Sequence, residues 1–202
     1  TEDVMAQQKS VGRRDLLISA GVSAGLFAIG FAVNKNSYAG AVIRPPGGQS
    51  NDFLSKCIRC DRCRSVCPTE VIAIGGISNG VINLRTPVMN YKYGSCDFCR
   101  KCIEVCPTGA LLNFIGDTTP IGKAQLTESC IALRTGACTK CKEECPYGAI
   151  SLDERMVPLI DSEKCNGCGV CEHICPAHVL QTFTGKKVRG IEIVPVGKKQ
   201  NS

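Results

Sequence analysis

Sixteen of the 202 residues are cysteine, and they fall into four groups of four. The first is Cys57, Cys60, Cys63 and Cys67, followed by Pro68; the second is Cys96, Cys99, Cys102 and Cys106, followed by Pro107. The third is Cys130, Cys138, Cys141 and Cys145, followed by Pro146; the fourth is Cys165, Cys168, Cys171 and Cys175, followed by Pro176. Three groups read C-x2-C-x2-C-x3-C-P, and the third reads C-x7-C-x2-C-x3-C-P, with five more residues between its first two cysteines. Thiolates are soft ligands that select iron–sulfur clusters and zinc.

The spacing separates those two chemistries. Three thiolates two residues apart can wrap three corners of one cubane, while the fourth, one turn on, points away; in two-cluster ferredoxins it ligates the other cluster. The proline behind it fixes φ and leads the chain out of a short helix. Small residues such as Gly167 and Gly169 allow close backbone approach to a cluster. Zinc sites pair two C-x2–4-C units across a long gap and often add histidine. Here a third cysteine follows at once, and the chain has only His173 and His178. Disulfides, common in exported proteins, do not suit cysteines spaced two apart three times running. No C-x-x-C-H occurs, which excludes a covalently attached c-type haem.

The sixteen cysteines therefore read as the iron ligands of four [4Fe–4S] clusters. Adjacent groups pair in the first arrangement: Cys57, Cys60, Cys63 and Cys106 on one cluster, and Cys96, Cys99, Cys102 and Cys67 on a second. Cys130, Cys138, Cys141 and Cys175 would share a third, and Cys165, Cys168, Cys171 and Cys145 a fourth. The other arrangement pairs group one with four and two with three; both use every cysteine. No catalytic residues are expected. Asp61, Asp97, Glu104 and Glu172 are isolated carboxylates, and four cysteines per cluster leave no open coordination position.

The elements that must position these ligands are short. Aromatic residues make up 5%, Trp is absent and Gly numbers 21, so burial alone is a weak foundation and metal is the expected staple. The fold class is α+β: tandem bacterial two-[4Fe–4S] ferredoxin-like modules after an N-terminal signal or anchor helix. The divisions are 1–41 signal or anchor, 42–56 linker, 57–118 first module, 119–196 second module and 197–202 tail. Ala149 to Leu152 and Met156 to Ile160 read as a hairpin between groups three and four. Val71 to Ile74 and Val81 to Leu84 read as its counterpart between groups one and two, around Asn79-Gly80. Ala110 to Ile115 and Ile121 to Leu126 offer a third pair, and Ile191 to Val194 a further strand.

The N-terminus reads as an address. Gly12-Arg13-Arg14-Asp15 precedes 18 uncharged residues, Leu16 to Val33, and small residues follow at Ser37 to Ala41. An Arg-Arg pair before a weakly apolar run specifies twin-arginine export; an uncleaved single span is the alternative. Either way the chain after residue 40 faces away from the cytoplasm. The net charge of +6 includes a basic tail of Lys186, Lys187, Arg189, Lys198 and Lys199. These read as a solvated surface, or as a docking face for an acidic redox partner or anionic membrane. No basic helix with interleaved aromatics points to nucleic acid.

The twin-arginine leader, Ile43-Arg44-Pro45-Pro46-Gly47, Phe53, the four cysteine groups and the long gap from Cys130 to Cys138 together resemble the NapG/MauM ferredoxin-type proteins. The likeness runs from Arg13 to Pro176. It implies a periplasmic or periplasm-facing carrier, exported by the twin-arginine translocase. Its partner would be a polytopic membrane iron–sulfur protein that oxidises quinol. Electrons would pass toward a periplasmic cytochrome or molybdenum reductase, typically nitrate reductase. Two other functions fit the same residues: a subunit bound directly to a molybdenum oxidoreductase, and a zinc or disulfide scaffold without redox work.

Overall fold

The structure is a computed structural model that describes residues 12, 14, 17–18, 20–25, 42–111, 119–177 and 189–196. The chain divides into two units, Thr1–Ala39 and Gly40–Ser202. In the first, residues 14, 17–18 and 20–25 are helical and exposed. The expected signal or anchor over 1–41 otherwise lies outside the described residues. No helix among the described residues is long and apolar enough to cross a membrane.

The second unit opens with a packed strap. Residues 42–56 were expected as a linker, yet Pro45 and Phe53 are fully buried, and the Met89 amide donates to the Ile43 carbonyl at 2.8 Å. Arg44 fixes the strap: its guanidinium lies 4.2 Å over the Phe53 ring and donates to Asn83 Oδ1 at 2.8 Å. The linker reading fails because these apolar and cationic side chains find partners in the body of the unit. Helix α1 (Phe53–Lys56) then delivers the chain to the first cysteine.

Each cysteine group builds a one-turn helix around its third cysteine. These are α2 (Arg62–Ser65), α3 (Lys101–Glu104), α5 (Lys140–Glu143) and α6 (Val170–His173). A left-handed residue launches three of them, Asp61, Arg100 and Gly169. Each ends before a Cys-Pro, because the residue preceding proline is pushed out of the α region. The extra residues of the third group form their own helix, α4 (Ile131–Thr135), closed by Gly136 at φ 62° with its amide on the Ala132 carbonyl. That is a glycine helix stop of the left-handed kind.

Among the described residues three two-stranded antiparallel sheets complete the unit. Strands β1 (Ile72–Ile74) and β2 (Pro87–Met89) pair with Ile72 opposite Met89. Strands β4 (Ile150–Leu152) and β5 (Pro158–Ile160) pair with Ile150 opposite Ile160, as the hairpin reading expects. Strand β3 (Lys123–Leu126) pairs with β6 (Ile191–Val194).

One strand expectation is corrected. Val81 to Leu84 is not the partner of β1; Val81–Asn83 is a 3₁₀ turn, as is Ile77–Asn79. Asparagine side chains take over the local backbone there: Asn79 Oδ1 accepts from the Gly76 amide, and Asn83 Nδ2 donates to the Asn79 carbonyl. Such bonds compete with a ladder, so pairing resumes only at Pro87, the first residue of its strand, where a missing N–H is tolerated. The strand at 123–126 pairs with the C-terminal segment. Burial of Ala124, Ile191 and Ile193 drives that closure. The upstream half, residues 112–115, lies outside the described residues.

One hydrophobic cluster spans the unit, from Phe53, Val71 and Ile72 through Tyr91 to Ile191 and Ile193, with cysteines from all four groups packed in it or against it.

Candidate metal centres

Four cavities gather the sixteen cysteines, four to each. One is lined by Cys57, Cys60, Cys63 and Cys106, and a second by Cys67, Cys96, Cys99 and Cys102. A third is lined by Cys130, Cys138, Cys141 and Cys175, and a fourth by Cys145, Cys165, Cys168 and Cys171. Each holds three cysteines of one group and the last cysteine of the adjacent group. Among the described residues no three Cys, His, Asp or Glu side chains converge tightly enough to hold a lone metal ion. All sixteen cysteines are free of disulfides. The sulfurs therefore surround volumes instead of closing on points or on each other.

The crossing of the fourth cysteine has a simple cause. Helix α2 packs on α3, and α5 on α6. Cys63 and Cys102 sit within α2 and α3, whereas Cys67 and Cys106 lie just past their C-terminal ends. Each helix thus serves the cavity of its own group with one sulfur and the neighbouring cavity with the next.

Backbone and side-chain donors reach the sulfurs. Cys145 Sγ accepts from the Ala149 amide and Cys165 Sγ from the Ala124 amide, both at 3.4 Å. Cys175 Sγ accepts from the Gly190 amide at 3.3 Å. Thr69 Oγ1 lies 3.5 Å from Cys67 Sγ, and Thr108 Oγ1 3.8 Å from Cys106 Sγ. Donors to sulfur stabilise the more negative state of a cluster and are one of the protein's levers on its potential.

Left to themselves these thiols resist ionisation. Burial, reinforced by neighbouring thiols, pushes Cys63 and Cys141 up to about 11 and Cys102 to about 12. Burial carries Cys96 to about 12 against the opposing Phe98 amide. Cys171, the most enclosed of the group, is raised further still. Cys106 goes the other way: burial raises it, but the amides of Leu111, Thr108 and Ala110 and the Thr108 hydroxyl outweigh that. Bound iron would replace these protons, which couples loading of the sites to folding.

An orphaned donor tests the fit. Asn166 is 4% exposed and lines the Cys145/Cys165/Cys168/Cys171 cavity. Its Oδ1 accepts from the Cys168 amide at 3.1 Å, while its buried Nδ2 finds no acceptor among the described residues. A buried amide without a partner is costly, and an anionic iron–sulfur core bound in the cavity would supply an acceptor.

The cavities meet in a definite order. The Cys96 amide donates to the Cys168 carbonyl at 2.8 Å, joining the second cavity to the fourth. The rings of Phe98 and Tyr147, which line those same two cavities, meet edge to face at 6.4 Å. Buried Tyr91 closes this seam: its hydroxyl donates to the Gly167 carbonyl at 2.8 Å, and its own carbonyl accepts from His173 Nδ1 at 3.2 Å.

The sequence signature of the 4Fe-4S dicluster domain matches residues 56–110 and again 134–179. The chain is 34% identical over 193 residues to the methylamine utilization ferredoxin-type protein MauM of Methylorubrum extorquens, covering 85% of this chain and 87% of that one. It is 32% identical over 186 residues to the ferredoxin-type protein NapG of Escherichia coli K12, covering 80% and 78%. The chain belongs to the MauM and NapG family of ferredoxin-type proteins. The shorter ferredoxin-type protein NapF of Escherichia coli K12 is also 32% identical, over 145 residues, with 68% and 82% covered. This family member is accordingly a ferredoxin-type iron–sulfur electron carrier.

Three features of this ferredoxin-type protein escape the sequence reading. Arg189 was read within a solvated basic tail, yet it is 6% exposed. Its guanidinium donates to the carbonyls of Glu172 and His173, where a cation suits a helix C-terminus. Lys186, Lys187, Lys198 and Lys199 lie outside the described residues. Glu172 is half-buried as well: its Oε2 accepts from the Ile193 amide at 2.7 Å, and burial raises its carboxyl. Asn166 carried no motif at all; only its position between Cys165 and Cys168 could have drawn attention.

Proposed function

We propose that the chain carries four [4Fe–4S] clusters, one in each four-cysteine cavity, arranged as two dicluster modules. The ligand sets are those of adjacent groups: Cys57, Cys60, Cys63 with Cys106; Cys96, Cys99, Cys102 with Cys67; Cys130, Cys138, Cys141 with Cys175; Cys165, Cys168, Cys171 with Cys145. The observation that carries this reading is that each cavity collects three cysteines of one group and one of the next. When bound, each cluster supplies one-electron storage and release at a potential set by its surroundings.

The protein's own residues determine the route. The first and second cavities share helices α2 and α3, and the third and fourth share α5 and α6. The Cys96–Cys168 bond joins the second to the fourth. The path therefore runs first, second, fourth, third, out of sequence order. Tyr91 and the Phe98–Tyr147 pair exclude water from the central step.

The likeness to NapG, with Arg13-Arg14 ahead of an uncharged run, supports a periplasmic setting reached by twin-arginine export. There the chain relays electrons from a membrane quinol-oxidising iron–sulfur protein toward a nitrate-reductase-type acceptor. The comparable likeness to a methylamine utilization protein supports a second reading, the same relay serving amine oxidation. Iron and acid-labile sulfide per chain test the core of the proposal: anaerobically purified protein should hold about 16 of each, with spin-coupled signals after dithionite reduction. About half that content, or zinc without sulfide, would overturn it.

A further inference from the structure

The electron path proposed above ends, on the N-terminal side, at the cavity of Cys57, Cys60, Cys63 and Cys106. The protein surface beside that cavity is unlike the rest. In the second half of the unit the hairpin turn between β4 and β5 takes five residues, 153–157; in the first half the stretch between β1 and β2 takes twelve, 75–86. The added length forms the double 3₁₀ turn Ile77–Asn79 and Val81–Asn83, and it is spent on exposed apolar side chains. Ile77 is 82% exposed, Val81 58% and Ile82 48%. Ile58, inside the first cysteine group, is 63% exposed. Arg59 donates to the Ile82 carbonyl at 3.4 Å, which holds the double turn against the loop that carries Cys57 and Cys60.

Folding gives no account of this. Branched apolar side chains left in water forfeit the stabilisation they would gain by burial, and a contiguous exposed patch of them marks an interaction surface. The rim is basic. Arg59, Arg62 and Arg85 line the cavity and are exposed. Among the described residues none of the three is salt-bridged, whereas the adjacent Asp61 is taken by Arg64.

We infer that this face docks a redox protein whose contact surface is apolar and fringed with carboxylates. The inference rests on the electron-carrier reading and names where that carrier exchanges electrons with its neighbour. The double turn supplies the apolar centre, the three arginines steer and orient the approach, and the exposed Cys60 lies directly behind. The surface is of the small kind used in transient electron-transfer encounters. Among the described residues of this unit no amphipathic helix of the kind that lies on lipid accompanies it, so a protein is the occupant that the shape favours.

The test uses the full, cluster-loaded chain and an acidic c-type cytochrome as probe. Calorimetry on the two oxidised proteins reads binding. Stopped-flow mixing of the reduced chain with ferricytochrome reads transfer, one electron leaving the chain for each ferric haem reduced. Ile77→Ser with Val81→Ser should weaken binding and slow transfer ~tenfold, since each exchange forfeits a buried branched side chain; added salt should weaken the wild type further. Leu133→Ser with Leu159→Ser, exposed apolar residues near the other end of the path, should change neither. Oxidation by ferricyanide should be equally fast in all three chains, which separates lost docking from lost clusters. Failure of every chain to react with ferricyanide would remove the carrier reading itself. Wild-type affinity in the Ile77/Val81 variant, no binding by the wild type, or loss of binding only to phosphatidylglycerol vesicles would overturn the inference.

Discussion

The ring of Tyr91 occupies the space that a side chain at residue 169 would need. A Cβ built on Gly169 would stand 1.9 Å from Tyr91 Cδ1, and the residue sits at φ 81°. The ring cannot swing aside, because it is buried and its hydroxyl is tethered to the Gly167 carbonyl. Gly169→Ala should therefore cost ~3 kcal/mol, left-handed strain plus overpacking. Gly148→Ala provides the comparison: φ is 59° but nothing lies within 4 Å, so ~1 kcal/mol is expected. The half-life of the cluster absorbance on heating, a measure of kinetic stability, should shorten far more in the first variant. Equal half-lives would mean that the seam does not constrain the fold.

That glycine also shows where sequence reading stops. Cys-x2-Cys spacing and the following prolines reveal which cysteines gather and where helices end, because both are local. Gly167 and Gly169 read from sequence as room for a cluster. In the structure the space beside Gly167 is filled by the Gly122 backbone, and that beside Gly169 by the Tyr91 ring from the first half of the chain. The equivalent left-handed positions in the first two groups are Arg59 and Asp61, Phe98 and Arg100, which carry side chains. The hairpin at 150–160 was legible because a short turn closes it. Strand β2 was not, because Asn79 and Asn83 capture the nearer segment, and β3–β6 pairs residues some 65 positions apart. Pairing at that distance is a property of the packed core, not of any window of sequence.

Asn166 should set the potential of one cluster. It lines the fourth cavity, and its Nδ2 has no acceptor among the described residues. A donor there favours the reduced, more negative state. Asn166→Leu removes it, and one hydrogen bond of about 0.5–1.5 kcal/mol corresponds to about 20–60 mV for one electron. Redox titration followed by EPR should show a single wave moved to lower potential by that amount, with the other three in place. Four unmoved waves would mean that the amide faces away from the cluster.

A surface position offers a gain in stability. Glu70 follows Cys67 at the place that Gly109 and Gly148 hold after Cys106 and Cys145, and all three turn back with amide bonds of 3.3–3.4 Å to the cysteine carbonyl. Their φ values are 54°, 63° and 59°. The glutamate is exposed and bears the left-handed penalty that the glycines avoid. Glu70→Gly should stabilise the protein by ~0.5–1 kcal/mol, after the greater chain freedom of glycine in the unfolded state is subtracted. Slower thermal loss of cluster absorbance would register it; a faster loss would show that the carboxylate makes a contact worth more than the strain.

The proposed crossing of ligands between groups can be tested directly. Cys67 belongs in sequence to the first group, yet it lines the cavity of Cys96, Cys99 and Cys102. Cys106 belongs to the second group and lines the cavity of Cys57, Cys60 and Cys63. Cys67→Ala and Cys99→Ala should therefore perturb the same EPR signal, and Cys106→Ala and Cys60→Ala a different one. The two changes within one cavity should be non-additive when combined, since the second acts on a site already broken. Combining Cys67→Ala with Cys60→Ala should instead sum the two losses. If Cys67→Ala matched Cys60→Ala in its spectrum, each group would be holding its own cluster, and the packing of α2 on α3 would have no part in building the sites.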